Sequence, residues 1–181
     1  MNALQLDFQK TALVLIYLQK GIDPIPGSKK VVENIKKLIQ HFRENNGFIS
    51  FVCVDLQNVK YKHLKDWAEF TPELITLKGG ETVTKRQWGA FFSSDLDLQL
   101  RRRGIDTIVL CGIATDIGVE STAREAFQLG YQQIFITDAM INFSREEYKA
   151  SCSYVFPKIG RFISVQDFFQ SVKEVYENES E

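Results

Sequence analysis

Histidine occurs only twice in these 181 residues, cysteine three times and proline four times, and acidic and basic side chains nearly cancel at a net charge of -1. Each scarcity excludes something. Three cysteines, Cys53, Cys111 and Cys152, are odd in number and far apart. They make no disulfide framework and imply free thiols in a reducing, cytoplasmic setting. His41 and His63 have no third ligand signature beside them, so each reads as a packing or solvent-facing residue and neither metal nor cofactor is expected. A near-neutral chain has no diffuse field for polyphosphate, which removes nucleic acid from the expected partners. The one basic run, Arg101-Arg102-Arg103, falls at a predicted helix end, where it complements the helix dipole and faces solvent. Long hydrophobic runs are missing too. Residues 12–18 are far too few to cross a bilayer and lack the charged leader of a secretion signal, so no membrane association is expected. No repeat or low-complexity tract is visible.

What is present is 44% hydrophobic and 25% charged residues, enough apolar material for one substantial core, so residues 1–181 read as a single domain. Residues 12–18 (ALVLIYL), 48–54 (FISFVCV) and 107–113 (TIVLCGI) are nearly continuous apolar runs, the pattern of strands buried on both faces. Val31, Val32, Ile35, Leu38, Ile39 and Phe42 recur at helical spacing behind a predicted Ser28 cap, and Asn45-Asn46-Gly47 ends that helix. Ser94 with Asp97 predicts a capping-box start to a helix that Gly104 stops, and residues 117–129 predict another that Gly130 stops. Shorter strands are expected near 82–84, 133–136 and 162–165, with helices from Ser144 and from Asp167. Strands that alternate with helices pair in parallel through right-handed crossovers, which set helices on both faces of the sheet. The expected fold class is α/β: a doubly wound, mostly parallel open sheet of about six strands, a Rossmann-like three-layer sandwich. Ligands of such folds sit outside the carboxyl ends of the strands.

Three of those strand ends hold unusual residues: Tyr17-Leu18-Gln19, the cation–aromatic stretch from Lys85 through Trp88 to Phe91, and the turn from Gly112 to Val119. A strand-to-helix turn aims backbone N–H groups and the positive helix end at the crevice, which suits an anion or oxyanion. Taken one at a time, each has a plain alternative. Thr115 or Asp116 could simply cap the helix, Lys85 could be a surface lysine, and Tyr17 a buried tyrosine with a partnered hydroxyl. A nucleotide- or flavin-binding domain is disfavoured, since no Gly-x-Gly-x-x-Gly or phosphate loop follows the first strand.

Their conjunction resembles the isochorismatase-like hydrolases. Residues 84–131 carry it: Lys85 precedes Gly89-Ala90-Phe91, and Gly112, Thr115, Val119, Thr122, Ala123, Ala126, Gly130 and Tyr131 match the family's nucleophile turn and following helix in register. The opening TALVLIYLQ resembles the family's first strand, and the likeness reaches nearly the whole chain outside residues 56–80. The resemblance implies a hydrolase of a small molecule whose three catalytic positions are Tyr17, Lys85 and Gly118. Ala114, Gln19 and Trp88 then serve substrate or oxyanion binding. It also implies a homo-oligomer and a cis peptide between Ile113 and Ala114.

Two of the three catalytic positions depart from the family pattern. Gly118 stands where the family's cysteine would be, and Tyr17 where its aspartate would be. True isochorismatases also carry glycine at the first of these, but they rely on the aspartate, and a tyrosine is a poor acid or base near neutral pH. Asp55 resembles the start of the metal-binding Asp-x-His of nicotinamidases, yet the histidine position is Gln57, so no metal is inferred. Cys53 and Cys111 lie within strands and are expected to be inert. Cysteine-dependent amidase activity is therefore not expected. The alternative is a non-catalytic family member that keeps the crevice for binding or serves as an oligomeric scaffold.

Overall fold

A computed structural model of the protein describes residues 6–18, 25–54 and 80–178. Six strands, β1 (Thr11–Ile16), β2 (Phe48–Val54), β3 (Glu81–Lys85), β4 (Thr107–Ile113), β5 (Gln132–Ile141) and β6 (Arg161–Ile163), form one sheet in the order β3-β2-β1-β4-β5-β6. Every neighbouring pair is parallel. All six residues of β1 are buried, as are six of the seven in β4, which is why their sequences lack polar alternation. Helices α1 (Ser28–Glu44), α2 (Leu96–Arg102), α3 (Glu120–Gln128), α4 (Arg145–Ala150), α5 (Phe156–Ile159) and α6 (Val165–Asn178) complete the three layers. On one face α1 meets α6 through the rings of Phe42 and Phe168, stacked 6.3 Å apart; on the other, α3 packs against α5. Phe135 of β5 lies under Phe156 at 4.3 Å, joining sheet to helix layer. No helix of the described residues is long and apolar enough to cross a membrane.

Several expected boundaries move. β1 ends at Ile16, so Tyr17 and Leu18 lie beyond the strand. The cap of α1 is Gly27, in the left-handed region at φ 91°, and Ser28 is the first helical residue. The capping box at Ser94 does not form: α2 begins at Leu96, Ser94 Oγ accepts from the Leu96 N–H, and Asp97 is instead taken by the Tyr131 hydroxyl at 2.7 Å. Neither Thr115 nor Asp116 caps the helix after β4. Residues Thr115–Val119 form one wide π turn, in which the Val119 N–H reaches the Ala114 carbonyl, and Thr115 Oγ1 donates to the Ile141 carbonyl. Ser144 does cap α4, accepting from the Glu147 N–H. The basic run ends α2 as expected, with Arg101 bound to Asp97 and Arg103 to Glu81 on the surface.

Where β1 meets β4, the chain direction of the crossovers reverses, which opens the crevice that ligands of this architecture use. Close contact there depends on Gly112. It has φ 125°, and a side-chain carbon would overlap the Ile16 carbonyl. Replacing it with alanine (Gly112→Ala) should lower stability by about 3 kcal/mol, since both steric overlap and backbone strain oppose the methyl group. Urea denaturation measures this, and an unchanged midpoint would contradict the packing described.

Candidate active site

The crevice holds a cleft of about 370 Å³, lined by residues of five segments: Tyr17; Val54; the stretch from Lys85 to Trp88; Ile113, Ala114, Ile117 and Gly118; and Phe143. Each segment lies at or just beyond the carboxyl end of a strand. Tyr17 comes directly after β1 with φ 50°, and its N–H is held by the Val52 carbonyl at 2.9 Å. A tyrosine in the left-handed region is uncommon, and such positions tend to mark sites. Among the described residues nothing bonds its hydroxyl, so the reading of Tyr17 as a buried tyrosine with a partnered hydroxyl does not hold there. Burial raises its pKa.

Lys85 is not a surface lysine. Only 4% of it is exposed, and its Nζ donates to the Trp88 carbonyl at 2.5 Å. A Cβ on Gly118 would stand 3.1 Å from that Nζ, so the side chain from β3 reaches across to the turn after β4. Burial pulls the lysine pKa down to about 8, against a weaker upward pull from the Glu125 carboxylate. The Ile113–Ala114 peptide bond is cis. Tyr17, Lys85, Trp88, Ala114 and Gly118 thus share one cleft, whereas Gln19, Asp55, Gln57 and His63 lie outside the described residues.

None of the three cysteines lines the cleft. Burial pushes the Cys111 thiol far up, and the Cys152 thiol up as well. Cys53 is half-buried rather than enclosed in its strand. His41 is packed among the rings of Phe8, Phe168 and Phe169, remote from the crevice.

Two residues that the sequence did not single out for the site brace it. Thr122 Oγ1 donates to the Gly118 carbonyl at 2.6 Å and accepts from the Ala90 N–H at 3.1 Å. One turn further along α3, Glu125 accepts from the Phe91 N–H at 2.9 Å, and only a glycine at 89 leaves room for its carboxylate. Together they tie the loop that carries Lys85 and Trp88 to the turn that carries Gly118. Thr122 shows as a family match in the sequence, but its double bond does not. Glu125 gives no signal, because its partner lies 34 residues away. Phe143, at the rim, follows β5, which runs five residues past the expected end at Ile136.

Residues 4–167 match the family model of the isochorismatase domain. The chain belongs to the isochorismatase family. The isochorismatase family protein YwoC of Bacillus subtilis is 60% identical over 188 residues, covering 96% of this chain and all of that one. The structure of an isochorismatase family protein from Burkholderia thailandensis superposes with a TM-score of 0.85 at 36% identity, over 95% of this chain and 100% of the other. The ureidoacrylate amidohydrolase RutB of Variovorax paradoxus is 38% identical over 104 residues, 57% of this chain but 41% of that enzyme. Nicotinamidase PncA from Bacillus subtilis has the same fold, with a TM-score of 0.76 at 24% identity over 86% of this chain and 99% of its own.

Proposed function

We propose that this isochorismatase-family protein hydrolyses a small molecule without a cysteine nucleophile, with Lys85 as the group that exchanges the proton. The supporting observation is the lysine itself. Burial brings it to about 8, into the range where an amine serves as acid or base near neutral pH. Tyr17, whose pKa rises, cannot take that role. Gly118 lets the Lys85 amine come close to the turn after β4, where even a Cβ would stand only 3.1 Å from Nζ, and the amine faces the cleft from there. The charged form of Lys85 stabilises negative charge as it develops on the substrate. Ala114 and Trp88 border the substrate, Trp88 as an open aromatic wall that is 68% exposed. Gln19, three residues beyond the first strand in sequence, completes the proposed binding set.

The test is a panel of small amides and isochorismate, assayed with and without a thiol-alkylating reagent. Turnover of a panel member should persist after alkylation, should follow a titration near pH 8, and should fall at least about a hundredfold in Lys85→Met. Isochorismate itself should be slow, since Tyr17 replaces a proton-donating carboxylate. Activity abolished by Cys111→Ala would overturn the thiol-free reading. No turnover across the panel would favour the second reading, a binding protein without catalysis.

We also propose a homo-oligomer. Trp88 and Phe143, 68% and 59% exposed, stand together at the cleft mouth, an apolar rim that a second copy would cover. Light scattering at micromolar concentration should report a multiple of 20.8 kDa, and a particle of 20.8 kDa would refute the assembly.

A further inference from the structure

Lys85 is enclosed, yet it opens onto a cleft rather than onto the core. Its Nζ has one hydrogen-bond partner among the described residues, the Trp88 carbonyl, and no carboxylate there forms an ion pair with it. The approach from Gly118 carries no side chain, and the surrounding surface is mostly apolar, with the rings of Tyr17, Trp88 and Phe143 along it. We propose that Lys85 is a covalent attachment site for small planar aldehydes and ketones, which enter this aromatic cleft and condense with Nζ to form an imine. Burial supplies the amine in usable form, since at about 8 a sizeable share of Lys85 is neutral under ordinary conditions.

The step balances without an oxidant or reductant. The lone pair of neutral Nζ forms a bond to the carbonyl carbon, and the C=O π pair moves onto oxygen. That oxygen takes up a proton while nitrogen releases one to solvent, giving the carbinolamine. Protonation of the hydroxyl lets it leave as water, and the nitrogen lone pair closes the C=N bond. The cleft favours planar carbonyls because its walls offer aromatic faces for stacking. This activity goes beyond hydrolysis and does not depend on it: the imine needs only the amine and the open space, whereas hydrolysis also needs a positioned water.

The experiment incubates the full chain with benzaldehyde and sodium cyanoborohydride at pH 7.5, reading the trapped secondary amine by intact mass and peptide mapping. An amine titrating near 8 is neutral in about a quarter of molecules at that pH, an ordinary lysine in about one in a thousand. Allowing for the weaker nucleophilicity of a less basic amine, Lys85 should be labelled at least about tenfold faster than any other lysine. The variant Lys85→Arg should lose this adduct and keep the slow background. Gly118→Val, which crowds Nζ from the turn side, should slow labelling of Lys85 by about tenfold, with circular dichroism confirming the fold of both variants. Labelling of Lys85 no faster than that of surface lysines in the unmodified chain would overturn the proposal, as would unchanged labelling in a folded Gly118→Val. A silent hydrolysis panel with selective trapping at Lys85 would count against the hydrolase reading alone.

Discussion

Tyr17→Asp combined with Gly118→Cys should turn the chain into a thiol-dependent amidase, raising hydrolysis of small amides by about a thousandfold or more over the unmodified protein. The expectation rests on position. A Cβ at 118 would lie 3.1 Å from Lys85 Nζ and 3.0 Å from the Ile16 side-chain methyl. The Lys85 amine ends a flexible side chain and can give by a few tenths of an ångström, but the buried Ile16 methyl and the Ile113 carbonyl, 3.2 Å away, require the turn to shift slightly with it. The new sulfur would thus sit beside a cation, which favours the thiolate. Tyr17 lines the same cleft, so a carboxylate there would add a base that the present chain lacks. The single variant Gly118→Cys separates geometry from catalysis. Its introduced thiol should react with iodoacetamide well before Cys111 and Cys152, both of which burial pushes up. An introduced thiol as inert as those two would show that position 118 is no nucleophile position. A reactive thiol with no amidase gain in the double variant would place the failure at Tyr17 instead.

The strands at the centre of the sheet were legible because burial on both faces leaves an unbroken apolar sequence, as in β1, β2 and β4. The second half of β5 was not. Its Thr137-Asp138 breaks the apolar run, yet the strand continues to Ile141, shifted in register against β4 near Gly112. Asp138 is tolerated because it works as an acceptor: its carboxylate takes the Val165 N–H and its carbonyl the Asn34 amide. The box at Ser94 failed for a similar reason, since a tertiary partner, Tyr131, competes for Asp97. At the site, the resemblance pointed to Tyr17, Lys85 and Gly118, and the structure brings all three into one cleft. What no local pattern could convey is that Lys85 is buried, because a lysine taken alone is read as exposed. Thr122 and Glu125 act across more than thirty residues of chain, a relation that periodicity does not encode.

That buried lysine should make the folded protein less stable than it could be, and Lys85→Met is the measure of it. The folded-state pKa, about 8, lies below the ordinary 10.5 of the unfolded chain. Below pH 8 both states carry the charge, and the folded state bears the full cost of holding it out of water. Between 8 and 10.5 the unfolded chain binds more protons than the folded one, so stability rises with pH; above 10.5 neither state is charged and the cost is gone. The gap corresponds to about 3 kcal/mol. Methionine has similar length and no charge, so Lys85→Met should gain about that amount at pH 7, less about 1 kcal/mol for the lost bond to the Trp88 carbonyl. The advantage over the unmodified chain should be constant below pH 8 and should shrink between 8 and 10.5. Urea denaturation of both proteins at pH 7, 9 and 10.5 reads this difference, and comparing the pair cancels the titration of the other lysines. A gain in stability with loss of hydrolysis would mark Lys85 as kept for chemistry at the expense of stability. A variant less stable than the parent at pH 7 would mean that the charge is well accommodated in the fold, and the neutral amine invoked for both activities would lose its physical basis.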